Sequence, residues 1–185
     1  VHAGKILYVG VSNWAAWQIS RALGVSARES LTSFACLQPM YNVAKRQAEV
    51  EILPMAQHEG LGVISYSPVG GGLLSGKYGI RERPDHGRLV DTPTYQKRYG
   101  DDAYYEIAER FVDHAREIGE HPVSLAVAWV MAHPAITTPI IGARSVEQLE
   151  PSLAAIDVEV SADRYEAIRA LSPTPPPATD RTEDQ

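Results

Sequence analysis

Cysteine is nearly absent from this sequence, since Cys36 is the only one among 185 residues. A single cysteine excludes a disulfide bond within the chain and is consistent with a reducing compartment. Because Cys36 lies in the apolar run Phe34-Ala35-Cys36-Leu37, we expect it to be a small core residue. No secretory signal pattern is visible, because Lys5 interrupts an N-terminal stretch that already has the pattern of a strand, and we expect a cytoplasmic protein.

Long hydrophobic runs, excess positive charge and paired histidines are also missing. No apolar run approaches the roughly 18 residues that a membrane-spanning helix needs, so we expect no membrane partner. The net charge of −6 argues against a nucleic-acid partner, whose site would be basic. The six histidines show no i, i+4 pairing and no carboxylate at ligand spacing, so we predict no metal site. No G-x-G-x-x-G motif follows a strand, which excludes a Rossmann site.

The sequence does contain an alternation of short apolar strands with amphipathic helices. The predicted strands are residues 6–11, 34–37, 62–65 and 137–141. The predicted helices are residues 14–23, 48–58, 102–118 and 122–133, one that begins after Ser145 with capping-box spacing, and one that follows Ser161 and ends near Leu171. Residues 68–101 are predicted to form a long loop. Four strands separated by helices predict an α/β fold of parallel β/α units.

Glycine and proline punctuate the predicted helices. We expect Gly24 to end the first helix, Pro54 to kink the second and Gly60 to end it. The helix over residues 102–118 has one apolar face, made of Tyr104, Ile107, Ala108, Phe111, Ala115 and Ile118.

Polar or glycine-rich residues end every predicted strand. In parallel β/α folds, ligands bind beyond the carboxyl ends of the strands. Asn13 and Gln38 follow the first two strands, and each offers the donor and the acceptor that an amide ligand needs. Tyr66 ends the third strand with a flat ring face, and Arg144 precedes a helix N-terminus, where a phosphate is stabilised. These are the parts of a nicotinamide dinucleotide site.

The third strand end is the most informative segment. It reads Tyr66-Ser67-Pro68-Val69-Gly70-Gly71-Gly72-Leu73-Leu74-Ser75-Gly76-Lys77. A ring for stacking, a backbone without Cβ atoms near a diphosphate, and a cation for its charge follow one another in this segment.

Four segments together resemble the aldo-keto reductase family, in the family's order and spacing. They are Gly10-Val11-Ser12-Asn13-Trp14, Gln38-Pro39-Met40-Tyr41-Asn42, Tyr66-Ser67-Pro68 with Gly76-Lys77-Tyr78, and Gly142-Ala143-Arg144 with Gln148. The resemblance covers residues 5–171, and the glycine segment is similar to the bacterial branch related to potassium-channel β-subunits. It implies one domain over residues 1–171, which would form the second half of an eight-stranded (β/α)8 barrel of the TIM type. The proline-rich, charged residues 172–185 are expected to form a solvated tail.

The resemblance also implies a cofactor, NADP(H), and a role for each matched residue. By position, Ser12, Asn13 and Gln38 would hold the carboxamide of the nicotinamide, and Tyr66 would stack on its ring. The pyrophosphate would be lined by Ser67, Pro68, Val69, Gly70, Gly72 and Lys77. The adenosine and its 2′-phosphate would be approached by Gly142, Arg144 and Gln148, with Arg88 as a further candidate for the same phosphate.

Two departures from the family's pattern stand out. Pro151-Ser152 occupies the position of a frequent Glu-Asn pair that usually addresses the adenine, and Pro151 should distort its helix. The family's catalytic Asp, Tyr, Lys and His come from its first four strands, and this chain matches from the fifth strand onward. We therefore predict no catalytic residue in this chain and expect it to be inactive by itself. The intact enzyme would reduce a small carbonyl substrate, and the half-barrel is expected to self-associate or to pair with an amino-terminal half.

Structural roles remain open as alternatives for several of these residues. Asn13 could simply cap the first helix, and Gln148 could belong to a capping box without contacting a ligand. Tyr66 and Tyr41 could be ordinary packing residues, and the glycine run could be a flexible turn. The loop arginines, Arg88 among them, could be solvated surface charges. An assembly module and an NADP(H)-binding pseudoenzyme are the alternative functions.

Overall fold

A parallel sheet with the strand order β1-β2-β3-β4 organises the chain. The structure is a computed structural model that describes residues 1–81 and 83–179. Its strands are β1 (Val9–Ser12), β2 (Phe34–Gln38), β3 (Gly62–Tyr66) and β4 (Thr138–Ile140). Its helices are α1 (Ala16–Arg28), α2 (Ile52–His58), α3 (Arg88–Asp91), α4 (Pro93–Arg98), α5 (Asp102–Glu117), α6 (Pro122–Met131), α7 (Val146–Leu153) and α8 (Ala162–Arg169). Short 3-10 helices are formed by Gln47–Glu49, Gly70–Ser75 and Ala154–Asp157. The predicted α/β fold of parallel β/α units is confirmed.

The two faces of the sheet differ in how well they are covered. Val11, Leu37 and Val63 are in register and lie on the same face of the sheet, where they are buried in the core with side chains of the helices. The opposite face holds Cys36, which is only half buried, and Ile140, which is 42% exposed. The prediction that Cys36 is a core residue was therefore wrong, because its strand position turns it toward the open face.

The first strand is shorter than predicted. It begins at Val9 rather than residue 6, and Leu7 and Tyr8 are 81% and 77% exposed. β1 lies at the edge of the sheet and pairs with β2 alone, from Val9 onward. Apolar side chains at residues 6–8 therefore produced a strand pattern without a neighbouring strand to pair with.

Glycine and proline had smaller effects on the helices than predicted. α1 continues through Gly24 to Arg28, because a glycine within a helix costs only about 1 kcal/mol. Pro54 is the third residue of α2, and the first turn of a helix needs no backbone N–H donor there. Gly60 follows the end of α2 with a φ of +67°, as its predicted role as a terminator requires.

The predicted loop over residues 68–101 contains a 3-10 helix and the short helices α3 and α4. Leu89 anchors it in the core, where it is 4% exposed. On α5, the predicted Ile107, Ala108, Phe111 and Ala115 are buried, and Tyr105 and Val112 are buried with them. Tyr104 and Ile118, which were predicted on the same face, are only partly buried. The predicted cap of α8 is confirmed, because Ser161 Oγ accepts a hydrogen bond from the Arg164 backbone N–H at 3.3 Å.

A buried polar network ties the end of α8 to the segment that follows β2. Arg46 donates hydrogen bonds to both carboxylate oxygens of Glu49, at 2.9 Å each, and to the backbone oxygens of Arg169 and Ser172. Burial alone would raise the pKa of Glu49, but hydrogen bonds from Arg46 and Tyr41 outweigh it and lower that pKa below its usual value. Ser172 is consequently buried, although it was predicted to begin a solvated tail. Most of residues 173–179 are exposed as predicted, and the rest of that tail, residues 180–185, lies outside the described residues.

Candidate functional site

The carboxyl ends of the four strands lie along one edge of the sheet. Ser12 at the end of β1 is paired in register with Gln38 at the end of β2. Tyr66 at the end of β3 is paired in the same way with Ile140 at the end of β4. The hydroxyl of Ser12 also donates a hydrogen bond to the backbone oxygen of Gln38 at 2.9 Å. The parallel topology therefore brings these predicted site residues to a common edge.

Tyr66 connects the end of β3 to the residue that follows β1. Its hydroxyl donates a hydrogen bond to Oδ1 of Asn13 at 2.8 Å, although 53 residues separate the two in sequence. Asn13 has a φ of +60° and does not cap α1. The N-cap residue is Ala15, whose backbone N–H donates to the side chain of Gln18. The alternative that Asn13 only caps a helix is therefore wrong, and among residues 1–81 and 83–179 its side-chain N–H groups donate no hydrogen bond.

The predicted residues line two separate concavities. Asn13 and Gln38 line a groove of about 320 Å³ together with Trp14 and Met40. A larger cleft of about 610 Å³ is lined by ten of the predicted residues, namely Tyr66, Ser67, Pro68, Val69, Gly72, Lys77, Arg88, Gly142, Arg144 and Gln148. Gly70 is buried and Ser12 is exposed, and neither lines the larger cleft. The hydrogen bond between Tyr66 and Asn13 joins a residue of the larger cleft to a residue of the smaller groove. The ligand roles of all these residues stay predictions.

Left-handed backbone shapes one wall of the larger cleft. Gly71 and Gly72 have φ values of +71° and +102°, and Ser67 has a φ of +58° although it carries a side chain. Such a conformation costs a non-glycine residue about 1–2 kcal/mol. The Ser67 carbonyl oxygen accepts two hydrogen bonds, one from the Gly70 backbone N–H and one from the Asn42 side chain, at 2.9 Å each. These two bonds offset the strain and fix the start of the glycine turn.

Asn42 is a supporting residue whose role the sequence did not reveal. It is fully buried, and its amide also donates to the Tyr99 hydroxyl and accepts from the Ala44 backbone N–H. Burial raises the pKa of Tyr99 to about 12, although its hydrogen bond with Asn42 lowers it. Asn42 closes the resemblance segment Gln38-Pro39-Met40-Tyr41-Asn42, which was the only signal that could have pointed to it.

Three cations line the larger cleft without a carboxylate partner. Lys77, Arg88 and Arg144 form no ion pair within residues 1–81 and 83–179. Lys77 lies over the ring of Tyr78, with its Nζ 5.3 Å from the ring centroid. Glu147 also lines the cleft, and hydrogen bonds, first from Ser145, hold the pKa of its carboxyl below its usual value. The net charge of the side chains that line the larger cleft is therefore positive, although the chain as a whole is acidic.

The end of the cleft near α7 departs from the predicted capping box. Ser145 makes no side-chain cap, and Oε1 of Gln148 accepts a hydrogen bond from the Arg144 backbone N–H at 3.2 Å. This bond fixes the turn that carries Arg144. α7 runs through Pro151 and ends at Leu153, where a 3-10 helix follows.

Several cleft residues were missed at the sequence level, namely Gly71, Ser75, Tyr95, His121, Ile140 and Glu147. Tyr95 lies on α4, inside the segment that was predicted to be a loop, so no periodicity marked it. Across the described ranges, no group of histidine, cysteine and acidic side chains could hold a metal ion. No helix there is long and apolar enough to cross a membrane.

Comparison with known proteins agrees with the fold. The model of the aldo/keto reductase family matches residues 1–173. The uncharacterized oxidoreductase YrpG of Bacillus subtilis is 33% identical over 95% of this chain and 52% of its own length. Protein tas of Escherichia coli is 31% identical over 91% and 49%, and a probable voltage-gated potassium channel subunit beta of Arabidopsis thaliana is 31% identical over 85% and 49%. The chain spans about half the length of these relatives, and its four parallel strands correspond to part of the family's barrel. The chain belongs to the aldo/keto reductase family of oxidoreductases.

Proposed function

We propose that this chain carries the NADP(H)-binding part of an aldo/keto reductase that reduces a small carbonyl compound to an alcohol. The observation that carries the proposal is the larger cleft, where three cations that have no carboxylate partner in the described part of the chain lie beside a run of left-handed glycines. Positive charge and a closely approachable backbone are what a pyrophosphate requires.

The glycine wall fits such a ligand. A Cβ atom placed on Gly72 would lie 3.1 Å from Cε of Lys77, so side chains here would crowd the lysine and cover backbone that now faces the cleft. Lys77 and the glycine turn would bind the pyrophosphate, and Arg144 with Arg88 would bind the further phosphate of NADPH. The ring of Tyr66 would support the nicotinamide, which supplies the hydride when bound.

Three core tyrosines of this chain are poor candidates for donating a proton to the carbonyl oxygen. A proton donor works best with a pKa near the working pH. Burial instead raises the pKa of Tyr41, Tyr78 and Tyr99, and the hydroxyl of Tyr66 donates to Asn13. We therefore propose that the proton donor lies outside this chain. With NADPH and a reactive aldehyde, the chain should give no turnover above buffer, and clear turnover would overturn this part of the proposal.

Titration of NADPH fluorescence tests the binding function. Lys77→Gln and Arg144→Gln should each weaken NADPH binding by about tenfold, because each removes a charge-assisted contact with a phosphate. Arg21→Gln is the matched control, because Arg21 is an exposed arginine on α1 that lines neither concavity. Absence of binding by the unaltered chain up to about 1 mM NADPH, the upper end of common KM values, would refute the proposal.

The open sheet face and the two edge strands beside it support a second function, assembly. β1 and β4 each have one neighbouring strand, and unpaired strand edges invite pairing with another chain. We propose that this face associates with a second copy or with a separately made amino-terminal half. Sedimentation velocity of the chain alone should show self-association that Ile140→Lys weakens. Ile156→Lys is the control, because Ile156 is 76% exposed in the 3-10 helix Ala154–Asp157. A monomer at all concentrations would exclude self-association.

A further inference from the structure

Two guanidinium groups contact one tyrosine ring at the wall of the larger cleft. Cζ of Arg88 lies 5.4 Å from the centroid of the Tyr95 ring, and Cζ of Arg98 lies 5.3 Å from it. Neither arginine side chain has a hydrogen bond or an ion pair within the described part of the chain. Two cations that share a ring without a carboxylate leave positive charge uncompensated, and an anion nearby would relieve their repulsion.

The ring of Tyr95 packs on the glycine turn beneath these arginines. A Cβ atom on Gly71 would lie only 2.5 Å from Cε1 of Tyr95, so the ring rests directly on the glycine turn. Tyr95 also stacks on the buried Tyr99, with ring centroids 6.5 Å apart. The ring is therefore supported from below by the glycine turn and from one side by Tyr99, and its outer face can hold a long side chain.

Of the two arginines, Arg88 lines the larger cleft and Arg98 lines neither concavity. Arg98 instead lies over Tyr66, 5.8 Å from that ring centroid. The backbone beside Arg88 is anchored, because Leu89 is buried in the core and the Gly87 backbone N–H donates to the Asp91 carboxylate at 2.9 Å. The free guanidinium of Arg88 is thus held in the cleft by two things, its anchored backbone and the Tyr95 ring.

We infer that Tyr95 is a positioning residue that holds Arg88 for the additional phosphate of NADPH and so determines the preference for NADPH over NADH. The inference rests on the proposed NADP(H) site. Lys77 and the glycine turn are proposed for the pyrophosphate that both dinucleotides share, and Arg88, with Arg144, for the phosphate that distinguishes them. An ordered guanidinium loses less side-chain entropy on binding than a mobile one.

The test compares dissociation constants for NADPH and NADH in matched variants. Arg88→Gln should weaken NADPH binding by about tenfold and leave NADH unchanged. Tyr95→Leu keeps apolar bulk on Gly71 but removes the ring face, and should weaken NADPH alone by about two- to fivefold, the factor for an exposed cation–π contact. Tyr95→Phe keeps the ring and should match the unaltered chain.

Two further variants separate positioning from structure. Arg98→Gln removes the other guanidinium and should leave the ratio of NADPH to NADH affinity unchanged. The double variant Arg88→Gln/Tyr95→Leu should bind NADPH no worse than Arg88→Gln alone, because Tyr95 acts through Arg88. Equal losses for NADPH and NADH in Tyr95→Leu would overturn the inference and leave a structural role. If the unaltered chain binds neither dinucleotide, the proposed function itself fails.

Discussion

Replacing Gly71 by alanine separates two effects that the structure predicts at the glycine turn. Gly71 has a φ of +71°, and its new Cβ would lie 2.5 Å and 2.7 Å from two ring atoms of Tyr95 and 3.3 Å from Leu89. Gly60 has a similar φ of +67° but nothing within 4 Å of a Cβ. Gly60→Ala is therefore a matched control that carries the backbone strain without the clash.

The expected magnitudes follow from these geometries. The left-handed conformation should cost each alanine variant about 1–2 kcal/mol of unfolding free energy. Overpacking against Tyr95 should add about 1–3 kcal/mol in Gly71→Ala alone. Because Tyr95 is half buried, its ring can swing away, and this would shift part of the cost from stability to the shape of the cleft.

Urea denaturation measures the first effect and NADPH titration the second. Gly71→Ala should lose more stability than Gly60→Ala and should also weaken NADPH binding, which Gly60→Ala should leave unchanged. Adding Tyr95→Ala to Gly71→Ala removes the clashing ring, so the double variant should be more stable than the sum of the single losses predicts. Equal stability and equal NADPH affinity of the two glycine variants would refute the idea that the ring rests on Gly71.

Other predictions concern the buried polar groups. Asn42→Leu should lower the unfolding free energy by about 2–4 kcal/mol in urea denaturation, because it leaves buried partners without hydrogen bonds, and unchanged stability would contradict the role assigned to Asn42. Glu49→Gln should cost about 3–5 kcal/mol in the same assay, since it leaves the buried charge of Arg46 without its counter-ion; a loss below about 1 kcal/mol would contradict this. Burial lowers the pKa of His133 in the folded state, so stability present above the ordinary value of 6.5 should fall as the pH drops through the folded pKa. His133→Gln should remove this loss of stability. A second loss should remain below pH 4.5, the ordinary pKa of a glutamate, because the folded pKa of Glu49 is also lowered. An unchanged dependence of stability on pH would show that His133 is not the group responsible.

The sequence predicted those parts of the fold and site that depend on short segments. The strand ends at Tyr66 and Gln38 follow from local apolar runs and the residues that terminate them, and the structure places both at one sheet edge. The prediction of the first strand was wrong at Leu7 and Tyr8, because these apolar residues have no neighbouring strand to pair with and are exposed. Gly24 failed as a helix terminator because a single weak propensity yields to the packing of the rest of α1.

The residues that support the site were beyond local patterns. Asn42 donates a hydrogen bond to the Ser67 carbonyl, which is 25 residues away in sequence. Tyr95 packs on Gly71 from α4, a helix that the sequence pattern did not predict. Both contacts exist only after the segment between β3 and α5 has folded over the strand ends. A sequence pattern can mark which residues contact a ligand, but it rarely marks the residues that hold those in place.

The arrangement of the two concavities bears on whether the proposed cofactor binding needs the rest of the barrel. Every cation of the larger cleft comes from segments that follow β3 and β4, and these segments pack on the core of this chain. The residues predicted to hold the nicotinamide amide, by contrast, lie at the ends of β1 and β2, where Ser12 and Asn13 are exposed and Gln38 is half buried. If the proposed site is correct, its phosphate end is formed by the segments that follow β3 and β4, whereas its nicotinamide end borders the open sheet face that we propose for assembly. We therefore expect this chain to bind a dinucleotide even if it reduces no carbonyl substrate by itself, and the NADPH titration and the turnover assay described above measure the two properties separately.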